Sequence, residues 1–392
     1  MTSPMATFES ALAAVDADRT IELATQFCSI PSPPGEEAEL AEFIANILDR
    51  PGTDVHIEDV VEGRPNVVAR IAGAGTAPPL VLNGHIDATA YPTGWSRDPY
   101  DPWRDGKRLY GGAITDMQGA LAAMVAAVEA APSAGTLPGD LILHAVMHHD
   151  TIGAGTKILL MGEGPTEGFG ICGEPSDLAI STANGGAIKW QIRLRGSGGH
   201  ISRKEDGVDA LKAANALYSA VADLEFVHEP CDRLPDLPRS LVGIVRGGFA
   251  SGAIAEEAFV EGDVRTVPGM TRESVLQQLR AVASEVCDER VEVRVRSTAV
   301  QRHFFGATEG VLIEALSEAH AGAMGHRPRI SNELPTQVFV TDAADMAAVG
   351  LETVVYGVGS WHYAPDEWIN VDDLVGSARA YLATAAQIGD TQ

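Results

Sequence analysis

The sequence predicts an α/β fold built from two domains, and three observations lead to that prediction. Two apolar runs end in polar residues, at 78–87 and 140–150, which is the pattern of buried strands that deliver side chains at their carboxyl ends. Between them, the run 117–131 is rich in Ala, Met and Val and predicts a helix, so strands and helices alternate as in layered α/β folds. The third observation is the length, because 392 residues exceed what one hydrophobic core usually serves.

The first predicted domain begins with helices and continues with strands. Residues 8–50 have helical periodicity, which the turn IPSPPG interrupts and which resumes at 36–49. Short β-rich runs follow at 54–61 and 66–73, ahead of the two buried strands. After those strands, a further helix is predicted at 156–163.

From about Gly185 the pattern changes to an alternation of apolar and polar residues. The predicted order is strand, helix, two strands, helix and strand, which is the ferredoxin-like arrangement. These six elements are expected at 187–202, 207–225, 240–248, 256–265, 271–287 and 291–297. The chain then returns to the first domain with a helix, a strand and a closing helix, at 310–324, 351–359 and 371–388. We therefore predict a first domain of residues 1–184 and 299–392, interrupted by an inserted domain of residues 185–298.

Charge and composition exclude several classes of partner. The formal net charge of −26 argues against nucleic acid, because a phosphate backbone is bound by a basic surface. The first 20 residues contain no basic start and no apolar stretch long enough for a secretory signal or a membrane span, so we expect a cytoplasmic protein that acts on a small molecule. The four cysteines lie far apart without C-x-x-C spacing, which predicts neither a disulfide framework nor a structural zinc knuckle.

Five short motifs supply a mixed set of imidazoles and carboxylates. The motifs are NGHIDA (83–88), YGGAITDMQG (110–119), HHDTIGAG (148–155), GEPS (173–176) and WHYAPDEW (361–368), and they contribute His85, Asp116, Asp150, Glu174 and His362. Nitrogen and oxygen donors together suit borderline divalent cations, with zinc first and manganese or cobalt as competitors. The set therefore predicts one or two bound metal ions and a metal-dependent hydrolase.

Taken alone, three of these motifs have simpler interpretations. His85 and Asp87 form an H-x-D pair whose side chains point the same way, so the carboxylate can accept the imidazole N–H, but the pair is also compatible with an ordinary strand-end turn. Asp116 is compatible with a helix N-cap. Glu174 is compatible with a buried salt bridge. The metal interpretation depends on the motifs acting together.

In order and context, the motifs resemble the co-catalytic zinc metallopeptidase and aminohydrolase family of acetylornithine deacetylase, succinyl-diaminopimelate desuccinylase, aminoacylases and glutamate carboxypeptidases. The similarity runs nearly end to end, from FCSIPSPPGEE (27–37) through NVVARIAG (66–73) to the last helix. It implies a zinc-peptidase-like metal-binding domain, an inserted domain that serves as a lid or dimer interface, and a homodimer. It also implies how the ligands divide: one metal is held by His85 and Glu174, the other by Asp150 and His362, and Asp116 bridges them.

The segment 148–150 departs from that family. Its members typically have two adjacent glutamates here, the first a general base and the second a metal ligand, whereas this chain has His149 and Asp150. We favour His149 as the catalytic base, because its reference pKa of about 6.5 lies near working pH. A neighbouring cation would lower that pKa and could recruit the imidazole as a ligand instead. A slip of one position would bring His148 into play.

The resemblance also implies roles for two residues of the inserted domain. His200 corresponds to a histidine that reaches the active site of the opposite subunit and polarises the substrate carbonyl. Arg265 corresponds to an arginine that binds a substrate carboxylate, for which a guanidinium suits bidentate contact. The asparagine and the second arginine that usually accompany it fall at Gly252 and near Ala344, so an ordinary N-acyl amino acid is a less secure substrate.

These observations predict hydrolysis of a carbon–nitrogen bond, an amide first, in a small carboxylate-bearing metabolite, by water that the metal activates. One alternative keeps the enzyme but changes the bond to an aromatic amine or a ureido group, because His149 replaces the usual glutamate base. The other alternative is a non-catalytic binding protein on the same fold.

Overall fold

The computed structural model describes residues 5–88, 91–147, 149, 153–162, 164–360 and 363–389. In this part of the chain the α-helices are Phe8–Ala14 (α1), Ala17–Ser29 (α2), Ala38–Leu48 (α3), Gly119–Ala134 (α4), Ala154–Met161 (α5), Ala210–Ala222 (α6), Arg272–Val286 (α7), Val311–Met324 (α8), Ala343–Ala348 (α9) and Val371–Gln387 (α10). None of the described helices is long and apolar enough to cross a membrane.

The strands of the described residues are Thr53–Val61 (β1), Arg64–Ile71 (β2), Leu80–His85 (β3), Trp103–Asp105 (β4), Arg108–Tyr110 (β5), Leu141–Val146 (β6), Gly168–Cys172 (β7), Ala183–Asn184 (β8), Gly186–Arg195 (β9), Gly199–His200 (β10), Arg239–Gly247 (β11), Ala253–Ile254 (β12), Glu257–Thr266 (β13), Glu292–Gln301 (β14), Phe304–Phe305 (β15), Leu351–Val355 (β16) and Trp368–Asn370 (β17).

The chain divides into two compact units. The first contains residues 1–183, 304–336 and 341–392, and the second contains residues 184–303 and 337–340. The insertion therefore extends to His303 instead of the predicted 298. The short segment 337–340, which we expected in the first domain, belongs to the second unit, because the Gly185 N–H donates to the Gln337 carbonyl at 2.8 Å and the Arg265 guanidinium donates to the Val338 carbonyl at 2.9 Å.

The first unit is organised around a six-stranded sheet of order β1-β2-β6-β3-β7-β16. Strand β3 lies between β6 and β7 and is parallel to both, whereas β1 and β2 are antiparallel additions at one edge. Helices cover both faces, so every residue of β3 and β6 is buried. Leu80 and Leu82 pack into a core with α4 and α10, and Val81 faces a second core with Met346 of α9. The predicted α/β class is confirmed.

The second unit is a four-stranded antiparallel sheet of order β11-β13-β9-β14, against which α6 and α7 pack. Along β9, buried residues alternate with partly exposed ones, as expected for a sheet with helices on one face. The chain order strand, helix, two strands, helix, strand is the predicted ferredoxin-like order.

Candidate metal centre

Three adjacent parallel strands end at the same edge of the first unit's sheet, and a candidate ligand follows or ends each of them. His85 is the last residue of β3, His149 follows β6, and Glu174 follows β7. All three side chains are buried. Carboxyl ends of parallel strands meet at one edge, so the sheet itself brings together groups that are far apart in sequence.

The His85 ring is held with one nitrogen turned toward the other ligands. Its Nδ1 lies 2.7 Å from the main-chain carbonyl oxygen of Asp87, and its Nε2 lies 3.1 Å from Oδ1 of Asp116. An Nδ1–H that donates to the carbonyl leaves Nε2 free to bind a metal.

The Asp87 carboxylate does not accept the ring N–H of His85, which corrects the sequence prediction. The Asp87 carboxylate oxygen Oδ1 lies 3.9 Å from Nδ1 of His85, too far for a hydrogen bond, and it accepts the main-chain N–H of His149 at 3.0 Å instead. The main chain turns after β3 and brings the Asp87 carbonyl, and not its side chain, up to the ring. The carboxylate thus connects the ends of β3 and β6.

Asp116 lies in a turn that precedes α4 and does not cap it. Its backbone angles are non-helical, and α4 begins at Gly119 after Gln118, which forms no side-chain cap. The N-cap interpretation is therefore wrong, and the helix starts two residues later than predicted. The turn is held by Glu367, whose carboxylate accepts the Ala113 N–H at 2.7 Å and the Thr115 hydroxyl.

His149 lies against His85 and between two carboxylates. The two rings are stacked, with centroids 4.6 Å apart and planes within 6°. Nδ1 of His149 lies 3.0 Å from Oδ1 of Asp342, and Nε2 lies 3.2 Å from Oε1 of Glu174. The same Glu174 oxygen is 3.8 Å from Nε2 of His85. Asp342 is a member of this cluster that the sequence did not single out.

The charges of the cluster compensate one another. Burial lowers the pKa of His149, but the Asp342 and Glu174 carboxylates outweigh burial and raise that pKa to about 10. Burial likewise opposes charge on His85, yet Asp116 and Glu174 raise the pKa of His85 well above its usual range. Burial raises the pKa of Glu174 to about 7, although His149 opposes the shift. Without a cation, protonated imidazoles thus neutralise the carboxylates.

The donor set fits a divalent metal ion. One ligand atom each from His85, His149 and Glu174 lie within 4.8 Å of one another, and a carboxylate oxygen of Asp116 lies beside His85. Two imidazole nitrogens with carboxylate oxygens are a donor set typical of zinc and of related first-row metals. A bound cation would displace the imidazole protons, since histidine binds metals in its neutral form.

Two predicted ligands, Asp150 and His362, and the alternative residue His148 lie outside the described residues. Their roles stay predictions, as does the division of ligands between two ions.

The two predicted substrate residues lie in the second unit. His200 is exposed, and its Nδ1 lies 2.9 Å from the Ser202 hydroxyl. Arg265 is partly exposed; besides its bond to the Val338 carbonyl, it forms an ion pair with Asp263 at 3.1 Å. Gly252, at the position of the family's asparagine, also lies in this unit. The roles of His200 and Arg265 stay predictions.

Glu367 should make the stability of the metal-free protein depend on pH. Burial raises the pKa of Glu367 from 4.5 to about 7, against hydrogen bonds from Thr115 and Ala113 that lower it. Because the folded pKa exceeds the unfolded one, the stabilisation is complete below about pH 4.5 and is lost as the pH rises through 7. In Glu367→Gln we expect the decrease of the free energy of unfolding over this pH range to be smaller by about 1–2 kcal/mol. The value is kept small because partial exposure of the residue screens part of the pKa shift.

Urea unfolding of wild type and Glu367→Gln between pH 4.5 and 8.5, both with chelator, measures this difference. Equal pH dependence of the two free energies of unfolding would contradict the prediction.

Comparison with known proteins supports the predicted family. Residues 81–387 match the peptidase family M20/M25/M40. The chain is 25% identical over 399 residues to N-formyl-4-amino-5-aminomethyl-2-methylpyrimidine deformylase of Bacillus subtilis (strain 168), covering 93% of each chain. It is 26% identical over 371 residues to acetylornithine deacetylase of Proteus mirabilis (strain HI4320), covering 90% of this chain and 92% of the relative. The fold resembles human carnosine dipeptidase 1, with a TM-score of 0.81, 16% identity, and coverage of 99% and 100%.

Proposed function

The chain belongs to peptidase family M20/M25/M40, and on that premise we propose that it removes a short acyl group from a nitrogen of a small carboxylate-bearing metabolite. It is a metal-dependent hydrolase of carbon–nitrogen bonds, and its relatives include a deacetylase and a deformylase. The observation that carries the proposal is the convergence of His85, His149 and Glu174 at the ends of three adjacent strands. These relatives do not favour the two alternatives, an unusual carbon–nitrogen linkage or a non-catalytic protein.

In this proposal His149 is a metal ligand, a role that the sequence left open beside that of the base. Its Nδ1 is occupied by Asp342, and its Nε2 points to the same place as the donor atoms of His85 and Glu174. A general base also needs a lone pair on Nε2, so the position of this nitrogen among the donor atoms of His85 and Glu174 is what favours coordination. Asp150 and His362 complete the centre in this proposal, which keeps Asp116 as the bridging ligand that the family resemblance implies.

The chain's own residues prepare this centre. A divalent cation held by these residues would supply Lewis acidity toward the scissile carbonyl and would lower the pKa of water. The Asp87 carbonyl orients His85, and the Asp87 carboxylate fixes the backbone of His149. Burial brings the pKa of Glu174 to about 7 when no metal is bound, although the charge of His149 opposes the shift, so Glu174 deprotonates readily near neutral pH to become a ligand.

Metal removal tests the proposed function. We expect a chelator to reduce hydrolysis of the best N-acyl substrate by at least about 100-fold, and zinc, manganese or cobalt to restore it. Elemental analysis of protein purified without chelator should give one or two ions per chain. Full activity in a protein shown to be metal-free would overturn the proposal.

The substrate class is tested by matched pairs of compounds. We expect N-formyl and N-acetyl amines that carry a carboxylate to be hydrolysed faster than the same amines without one, and faster than ureido acids. Arg265→Ala should raise KM for the carboxylate-bearing substrate by about tenfold and leave the uncharged one unaffected. Arg290→Ala, an exposed arginine of the same unit, is the control. An equal effect of Arg265→Ala on both substrates would contradict carboxylate binding.

We also infer a homodimer formed through the edge strand β11 of the second unit. Several apolar side chains on or next to this edge are exposed, Leu241 by 69%, Ile244 by 50% and Phe249 by 85%. An unpaired strand edge with exposed apolar residues is a typical interaction surface. Light scattering should give twice the chain mass for wild type and for Val61→Glu, and the single mass for Leu241→Glu combined with Phe249→Glu. A monomeric wild type would exclude the dimer.

The cytoplasmic location stays a prediction.

A further inference from the structure

A buried chain of hydrogen bonds ends at the ring of His149. The Asp342 carboxylate has both oxygens occupied: Oδ1 lies 3.0 Å from Nδ1 of His149, and Oδ2 accepts the hydroxyl of Thr156 at 2.6 Å. The Thr156 oxygen in turn accepts an N–H of the Asn83 side chain at 2.9 Å. All four side chains are buried, and they come from β3, the segment after β6, α5 and the residue before α9.

The directions of these hydrogen bonds follow from the chemistry of the groups. The Asn83 oxygen faces the thiol of Cys172 at 3.8 Å, so its amide nitrogen is the atom that faces Thr156. A hydroxyl that accepts from Asn83 directs its own proton to Asp342. The Asp342 carboxylate therefore accepts at both oxygens, and the hydrogen bond with His149 requires a proton on Nδ1.

This series of hydrogen bonds determines which nitrogen of the neutral His149 ring carries the lone pair. With Nδ1 protonated, the neutral ring has its lone pair on Nε2, the nitrogen that lies 3.2 Å from Glu174. A carboxylate behind a metal-binding imidazole fixes the ring tautomer and orientation, and losing it typically reduces metal affinity by about 10–100-fold.

We propose that Asp342, seated by Thr156 and Asn83, is a positioning residue that holds His149 with Nε2 turned toward His85 and Glu174. This inference rests on the proposed function, because it assigns Asp342 a role only if a metal binds at that point. Asp342 is the N-cap residue of α9, but its side chain caps no backbone N–H of that helix. The carboxylate is committed to the histidine and the threonine instead.

Asparagine at position 342 breaks this arrangement whichever way its amide lies. If the amide oxygen accepts from His149, the amide nitrogen faces the Thr156 oxygen, and the threonine proton loses its acceptor. If the amide oxygen accepts from Thr156, the amide nitrogen donates to Nδ1 of His149, and the ring must carry its proton on Nε2. Only the first arrangement leaves Nε2 of His149 able to bind a metal. In that arrangement the hydroxyl proton of Thr156 has lost its acceptor at residue 342.

The test measures zinc affinity directly, by competition with a chromophoric chelator. We expect Asp342→Asn to weaken zinc binding by about 10–100-fold and His149→Ala to weaken it at least as much. Asp345→Asn, in the same helix and facing Lys157, should bind zinc like wild type. The cobalt-substituted Asp342→Asn protein should also show a changed visible absorption spectrum, which a purely structural role would not produce.

A second pair of variants covers the case in which Asp342→Asn does not fold. Thr156→Val removes the hydroxyl at nearly constant shape and should weaken zinc binding several-fold, whereas Thr156→Ser should restore it. Wild-type affinity in both Asp342→Asn and Thr156→Val, with weakened binding in His149→Ala, would overturn the positioning role alone. A wild-type protein that binds no zinc, manganese or cobalt would overturn the proposed function itself.

Discussion

Replacing Glu174 with glutamine is expected to reduce both metal affinity and hydrolysis by about a thousandfold. Glu174 is the carboxylate that lies within reach of both imidazole Nε2 atoms, at 3.2 Å from His149 and 3.8 Å from His85. Loss of residues that only orient ligands typically costs 10–100-fold, so loss of a ligand should cost more. Glutamine preserves the shape of the side chain but presents a neutral, weakly binding oxygen. Competition with a chromophoric chelator and steady-state kinetics measure the two effects.

The fold should survive this change, which makes the result interpretable. Burial raises the pKa of Glu174 to about 7 in the metal-free protein, so its neutral form is accessible at neutral pH, and we expect a neutral side chain of the same shape to be tolerated. Glu167→Gln, at an exposed position ahead of the same strand, controls for the substitution itself. Normal metal content in Glu174→Gln would remove this residue from the ligand set and weaken the proposed function.

Sequence patterns predicted the elements of the fold because buried apolar residues recur with the period of a helix or a strand. The run that ends at His85 is apolar through Leu82 and becomes strand β3, and the run before His149 becomes β6. The same reasoning assigned the segment 337–340 to the wrong unit, because four residues are too few to show a hydrophobic periodicity. Its place in the second unit depends on single hydrogen bonds, such as that between Val338 and Arg265, whose partners lie far away in sequence.

The site was predictable where a motif marked it and not where only packing did. His85 and Glu174 stand in recognisable motifs, and the structure places them together. Asp342 follows a threonine and precedes a helix, so its pattern indicates an ordinary helix cap. Only the three-dimensional arrangement shows its carboxylate at Nδ1 of His149. The Thr-Asp pair at 341–342 was the one available signal, and it has no metal-binding meaning by itself.

The structural role of Gly357 can be tested with a substitution of one methyl group. A Cβ at this position would lie 2.1 Å from the main-chain oxygen of Gly173 and 2.6 Å from that of Glu174. Both are backbone atoms, so no side-chain rotation can relieve the contact. We expect Gly357→Ala to lower the free energy of unfolding by about 2–4 kcal/mol, as measured by urea unfolding.

The same substitution should also displace the ligand that follows Gly173. Gly357 is joined to the loop after Glu174 by hydrogen bonds from the N–H groups of Ser176 and Leu178 to its carbonyl, at 3.2 and 3.1 Å. A shift of this segment moves Glu174 relative to the two imidazoles, so zinc affinity should fall together with stability. Gly162→Ala is the control, because its Cβ would meet its nearest neighbours at 3.5 Å and 3.6 Å, ordinary contact distances. Unchanged stability in Gly357→Ala would mean that the β7 end and the Gly357 loop can separate without cost, and would contradict the close packing that fixes Glu174.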